Sequence, residues 1–355
     1  MYESLRQILV SGDYSVVESF ELPARPAIFR PVPRFLFESA VGQHLEGEVS
    51  KGSGLWRHQA QAIELLGDGR NVVIPTGTAS GKSLIFRSVA FHRILTDPHA
   101  RVLVFYPLKA LASDQLRGWR AMAGALGLPD QAIGRIDGSV RDMKERDRIL
   151  ETSRVVLMTP DVCHAWLMSR LAMPVVKQFL RSVALVIMDE AHTLEGVFGS
   201  NFAFLIRRLL VAREWLLKED STERPLQFVA ATATISNPQE LLRSLTGSEF
   251  ELIDETLDGS PRASRICAHI AAPAGEELQL ARALQTELLR NSRNGGFITF
   301  VDSRKAVESL ARSSQQELTD AMGGEAVMPC LLHTKCWTQS RAFDRFALVA
   351  RCGER

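Results

Sequence analysis

Long apolar runs are missing from this 355-residue sequence: none approaches the roughly 20 residues that cross a bilayer as a helix. Met1-Tyr-Glu-Ser-Leu-Arg6 also lacks the charged-then-apolar opening of a signal peptide, so the expected location is cytoplasmic, with no membrane partner. An excess of either charge is missing too, since 42 lysines and arginines face 41 aspartates and glutamates. No global basic field announces a nucleic-acid partner, although a local groove can still be positive. Cysteine is sparse and scattered, at 163, 267, 330, 336 and 352, which fits reduced thiols better than a disulfide framework. No internal repeat or low-complexity tract is present. What remains is an ordinary apolar share, 46%, and enough length for about two domains.

Short apolar runs without polar alternation recur at Val72–Ile74, Val102–Tyr106, Val155–Met158, Val183–Met188, Phe228–Ala231 and Phe297–Val301. Strands covered on both faces have this composition. Between them, Leu84–Leu95, Ala110–Ala123, Phe202–Leu217 and Pro238–Leu245 carry helical spacing. The alternation predicts an α/β fold around a parallel sheet. Residues 1 to 54 differ, because Pro23, Pro26, Pro31 and Pro33 enforce an extended path before a short amphipathic piece, Phe35–Leu45. They predict an arm lying on a first domain over residues 55–260. Gly259, Ser260, Pro261 and Pro273 then break the periodicity, and a second domain is expected over 265–355. Lys218–Arg224 reads as a solvated loop.

One strand runs into Thr76-Gly77-Thr78-Ala79-Ser80-Gly81-Lys82-Ser83 and then into a helix. Backbone N–H groups of such a turn, with the helix N-terminus behind them, suit a phosphate. Lys82 would reach the β and γ phosphates of ATP, and the Ser83 hydroxyl would coordinate Mg²⁺. The strict pattern asks for glycine at 76, where this chain has threonine. A glycine-rich turn that only joins strand to helix also fits the residues. Farther along, Asp189-Glu190-Ala191-His192 follows the most apolar strand in the chain. Asp189 can share the metal with Ser83, and Glu190 can orient and deprotonate a water for in-line attack. Alone, the acidic pair would serve equally as a helix N-cap.

With these motifs the sequence resembles the superfamily 2 helicases of the DEAD/DEAH group, which are built from two RecA-like lobes. Leu55-Trp-Arg-His-Gln59 resembles the glutamine motif, which implies that Gln59 reads the adenine edge. Tyr106-Pro-Leu-Lys109 resembles motif Ia, Asp137-Gly138 motif Ib, and Thr159-Pro160-Asp161 the next contact point, all implied to bind the backbone of a single strand. Thr232-Ala233-Thr234 resembles motif III, which implies coupling of nucleotide to nucleic acid, with His192 linking the acidic motif to it. Phe300-Val-Asp-Ser303-Arg304 resembles motif IV, at the start of the second lobe. The proline-bearing arm and the forms of the phosphate loop and motif III look most like the DEAH DNA helicases linked to mitomycin repair. The implied function is an ATP-dependent DNA helicase or translocase in repair or genome defence, with RNA as the alternative strand.

Residues 333–354 resemble the strand and helix that follow motif IV, and the sequence stops before motifs V and VI. The expectation is an incomplete second lobe, weak ATP hydrolysis by this chain alone, and a partner or further segment that completes it. A non-enzymatic ATP-binding switch subunit is the alternative class. Cys330, His333, Cys336 and Cys352 have metal-like spacing, but zinc needs four converging ligands, and ordinary thiols are expected. Trp56 and Trp119 could stack on bases, with packing the expected role.

Overall fold

A computed structural model describes residues 14–49, 54–77, 80–219, 225–291, 296–301, 303–321, 332–335 and 346–351. The chain forms two units, Arg25–Arg262, and Met1–Ala24 with Ala263–Arg355. In the first unit the apolar runs become the strands β1 (Val72–Ile74), β2 (Arg101–Phe105), β3 (Ile133–Ile136), β4 (Val155–Met158), β5 (Val183–Met188), β6 (Gln227–Ala231) and β7 (Glu251–Leu252). They pair in the order β7-β1-β6-β5-β2-β4-β3, parallel throughout.

Alternate strand residues point to opposite faces, so both faces must be covered. Val72, Ile74, Val102, Val104, Leu185 and Ile187 pack under α1 (Arg57–Gly67), α2 (Lys82–Thr96) and α3 (Lys109–Ala125). Val73, Leu103, Phe105, Val186 and Met188 pack on α4 (Pro174–Ser182), α5 (Gly196–Glu219) and α6 (Pro238–Thr246). Each fully buried aliphatic side chain contributes about 1.5 to 3 kcal/mol, and the sheet becomes the rigid floor from which loops project.

Two strands of this seven-stranded sheet lie outside the expected set. In β3, Gly134 and Arg135 break the apolar run, and β7 is a two-residue edge held beside Asn71, which donates to the Glu249 carbonyl at 2.9 Å. The piece Phe35–Leu45 divides into Arg34–Phe37 and Ala40–Val49, because the Ser39 hydroxyl accepts from the Gly42 amide and starts a second helix.

The expected arm is also divided. Residues from Arg25 onward belong to the first unit, whereas Ser15–Leu22 pairs antiparallel with β8 (Arg265–Ala271) in the second. That unit continues through α7 (Glu277–Asn291), β9 (Gly296–Val301), α8 (Arg304–Ala321), β10 (Leu332–Lys335) and β11 (Phe346–Arg351). Its three-stranded sheet is antiparallel, β9-β11-β10. A strand, β11, thus stands where a helix was expected, since Phe346-Ala-Leu-Val-Ala350 is apolar without helical spacing. Cys330, Cys336 and Cys352 lie outside the described residues. No described helix is long and apolar enough to cross a membrane.

The first unit closes on itself at Gly259. Its carbonyl accepts from Ile28 N–H at 2.9 Å, and a Cβ there would stand 2.5 Å from the Ile28 carbonyl oxygen and 2.7 Å from the Arg57 nitrogen. Both obstacles are backbone and neither can step aside. Gly259→Ala should therefore destabilise the unit by about 1 to 3 kcal/mol, read as a lower urea midpoint with unchanged slope; an unchanged midpoint would show that the contact is not required.

Candidate active site

Every strand end of the sheet except the two-residue edge delivers a candidate residue. Ile74 leads to the phosphate loop, Phe105 to Tyr106, Ile136 to Asp137, Met158 to Thr159, Met188 to Asp189 and Ala231 to Thr232. Ligands of open parallel sheets bind at this carboxyl edge.

The phosphate loop is held from within. The hydroxyls of Thr76 and Ser80 meet at 2.7 Å, and Ser80 also donates to the Gly77 carbonyl at 2.8 Å. Both side chains are buried, so the threonine that replaces glycine braces the turn. Gly81 caps α2 in the left-handed region at φ 70°, a conformation that favours glycine, with the Gln59 carboxamide packed against it. Thr78 and Ala79 lie outside the described residues. Lys82, the first residue of α2, donates to the Thr76 carbonyl at 2.6 Å and the Thr232 carbonyl at 3.2 Å. Burial pushes its ammonium below the ordinary lysine range, against the pull of Glu190 and Asp189. Ser83 follows it in the first turn of α2.

Asp189 is 9% exposed at the end of β5. Burial, then the neighbouring Glu190 charge, push its carboxyl up to about 6, against the opposing Lys82 and Arg87. A buried acid with so little compensation suits a cation, which would return it to the charged form. Glu190 adopts φ 53°, ψ 43°, and is the only non-glycine with positive φ among the described residues. Such strain concentrates at functional turns. His192 Nδ1 accepts from the Ala233 amide at 3.1 Å, which leaves the proton on Nε2 and ties the acidic motif to motif III. Thr232 Oγ1 is buried with no hydrogen-bond partner among the described residues, at the same edge. Thr234 instead donates to Glu255 Oε1 at 2.7 Å.

Gln59 is nearly buried, and its carboxamide accepts from Trp56 N–H and donates to the Gly81 carbonyl, both at 3.1 Å. It clamps the phosphate loop and keeps one N–H and one lone pair in hand. Among the residues implied to hold a strand, Lys109 is exposed at the start of α3, with its ammonium against Gly138. Asp137, Thr159 and Pro160 are buried. Asp137 serves its own turn: it accepts from the Ser139 amide and hydroxyl and pairs with Arg135 at 3.3 Å. Direct contact by that carboxylate is not what the structure offers. In the second unit the Ser303 hydroxyl accepts from Ala306 N–H and caps α8, whose first residue is Arg304. Trp119 is core, donating to the Tyr106 hydroxyl at 3.1 Å, whereas Trp56 lies against Gly81.

Sequence reasoning missed His58, which is fully buried and bonds the Ser80 carbonyl at 2.8 Å. It also missed Glu255 and Asp258. Nothing in their local sequence marks them, because their partners are distant in the chain.

The DEAD/DEAH box helicase family model matches residues 56–241. The chain belongs to this family. Helicases of the family use ATP, and the seven-stranded unit has their RecA-like fold. The ATP-dependent helicase HRQ1 of Saccharomyces cerevisiae is 34% identical over 250 residues, 69% of this chain and 22% of that protein. YprA of Bacillus subtilis, an uncharacterized ATP-dependent helicase, is 27% identical over 337 residues, 92% of this chain and 42% of that one. The crystal structure of the DUF1998 helicase MrfA bound to DNA and AMPPNP has a TM-score of 0.76 at 26% identity, covering 92% of this chain and 44% of that one. This helicase chain thus spans less than half the length of these relatives.

The raised Asp189 carboxyl sets a direction for stability against pH. Its folded value, about 6, lies above the ordinary 3.8, so between these values the folded state binds more protons than the unfolded one. Stability then falls as pH rises through that window, and above it the carboxylate is a full penalty. Asp189→Asn should stabilise the ligand-free protein by about 2 to 3 kcal/mol at pH 8 and little near pH 4. Urea unfolding at both pH values reads the difference; equal effects would refute the buried charge.

Proposed function

We propose that this chain forms the ATP-binding part of an ATP-dependent DNA helicase or translocase acting in DNA repair or genome defence in the cytoplasm. One observation carries the reading: a single lysine, Lys82, joins the phosphate loop to motif III through the carbonyls of Thr76 and Thr232. Both carbonyls stand in for anionic oxygens. When a triphosphate enters, Lys82 turns to its β and γ phosphates and gives up the Thr232 carbonyl, so that motif III responds to the nucleotide.

Ser83 and Asp189 are the residues that would hold Mg²⁺, which when bound would neutralise charge on the β and γ phosphates. The backbone N–H groups of the loop and the start of α2 take the remaining phosphate oxygens. Gln59 offers its spare N–H and lone pair to the adenine edge. Glu190 orients a water and accepts its proton, and His192 reports the state of that carboxylate to Ala233 through a hydrogen bond already in place. Lys109 and the Gly138 backbone bind phosphates of a single strand without reading bases. DNA is favoured because the related MrfA is seen bound to it.

Lys82→Ala should weaken ATP binding by roughly 10- to 100-fold, the worth of a charge-assisted hydrogen bond or two. Glu190→Gln should leave that affinity within about twofold and lower DNA-stimulated turnover by on the order of 10² to 10⁴. Nucleotide titration and steady-state hydrolysis separate the two. Equal losses of affinity would contradict the assigned roles.

A further inference from the structure

Residues 254–260 form the last stretch of the first unit before the chain crosses at Arg262–Ala263, and three residues of the candidate site or beside it, Thr234, Arg57 and His58, are bonded to it. Asp254 accepts from the Thr256 amide at 2.6 Å and starts the short turn Glu255–Leu257. Glu255 takes the hydroxyl of Thr234 in motif III. Arg57, beside Gln59, donates to the carbonyls of Thr256 and Leu257. The Gly259 amide donates to His58 Nδ1 at 3.3 Å, which leaves His58 Nε2–H for the Ser80 carbonyl at 2.8 Å. Burial pushes the imidazole below its ordinary range, against the Ser80 carbonyl and Asp258, so it is neutral and holds this tautomer.

The segment is braced on its other side by Arg25. Its guanidinium pairs with Asp258 Oδ2 at 2.7 Å and donates to the Ser260 carbonyl, while its backbone bridges Arg262 in both directions at 2.8 and 2.9 Å. Burial alone would raise the Asp258 carboxyl, but the Ser260 hydroxyl and amide and the Arg25 charge hold it below the ordinary carboxylate range. A carboxylate anchored three ways, between a loop carbonyl and the crossing, is more than a loop needs in order to stay folded.

We infer that residues 255–260 carry the state of the phosphate loop to the crossing between the units, with His58 as the positioning residue that joins Ser80 to Gly259 and Glu255 as a second tie to motif III. This rests on the nucleotide reading above. A nucleotide that rearranges residues 76–82 displaces the Ser80 carbonyl, His58 must follow or lose its bond, and Gly259 has no freedom to absorb the shift because Ile28 and Arg57 backbone enclose it. Thr234 moves with the same event when Lys82 leaves the Thr232 carbonyl. Both ties end on six residues that lead directly into β8.

Hydrogen–deuterium exchange of the full chain, with and without AMPPNP and Mg²⁺, tests the inference. Nucleotide should slow amides 76–84, and should change those of 255–272 by on the order of 5-fold or more, the usual scale of coupling between sites. His58→Gln should lower the ratio of the change at 255–272 to that at 76–84. Glu255→Ala, an exposed position that keeps the test open if the histidine variant does not fold, should lower it too. A protected phosphate loop with 255–272 unmoved in the wild type overturns the inference and leaves the nucleotide reading standing, as does an undiminished ratio in both variants. No protection at 76–84 overturns the reading and the inference together.

Discussion

One ammonium group holds two strand ends together. Lys82 sits where β1 and β6 stop side by side, and among the described residues its ammonium donates to the carbonyls of Thr76, Thr232 and, at 3.5 Å, Gly77, with Asp189 and Glu190 nearby. Carbonyl dipoles are partial compensation for a buried cation. The site is therefore folded but electrostatically unfinished, and an anion with several oxygens is what finishes it. The surrounding features follow from this constraint. Thr76 and Ser80 brace the loop internally, and Gly81 supplies the left-handed conformation at the cap that launches the lysine's helix.

The acidic side of the cleft is unfinished in the opposite sense. Asp189 is buried with a carboxyl that titrates near 6, and Glu190 follows in a left-handed conformation that a side chain rarely adopts. A protein gains no stability from either feature: the first destabilises the folded state above that pH, and the second is strained by roughly 1 to 3 kcal/mol. Both are tolerated because the strand that delivers them is buried over its whole length, Val183 to Met188, and can over-determine the turn at its end. A buried ammonium and a buried carboxyl thus stand one strand apart on the same edge, each pulling on the other.

Much of this was legible in the chain. Runs such as Val155–Met158 and Val183–Met188 coincide with their strands, because a strand covered on both faces leaves no polar residue to blur its ends. The phosphate loop and the acidic motif are local, with backbone and side chains cooperating over a few residues, so pattern alone located them. What escaped was non-local or short. β3 hides behind Gly134 and Arg135, and β7 is two residues long. The Ser15–Leu22 strand finds its partner at Arg265–Ala271, far along the chain, and no spacing rule connects them. His58 was passed over beside the more conspicuous Gln59, although its ring touches the loop from the other side. The resemblance of Asp137-Gly138 to motif Ib implies a strand contact, but burial and the bonds to Ser139 tie the Asp137 carboxylate into its own turn, which a motif does not reveal.

The unit is unevenly stiff, and this decides where a nucleotide's effect emerges. Between α2 and α3 the contacts are buried and multiple: Arg87 donates to Gln115 at 2.9 Å, its guanidinium lies 5.9 Å from the Trp119 ring, and Trp119 bonds Tyr106. A displacement of α2 therefore carries α3 and the loop before Lys109 with it. Residues 255–260 contribute one apolar side chain, Leu257, and are otherwise held by hydrogen bonds and one ion pair. Segments held this way open at lower free energy than packed helices. Strain at the rigid carboxyl edge would therefore relax in the hydrogen-bonded segment before it relaxes in the sheet, and that segment leads into one of the two points, Arg262–Ala263, at which the chain passes to the second unit.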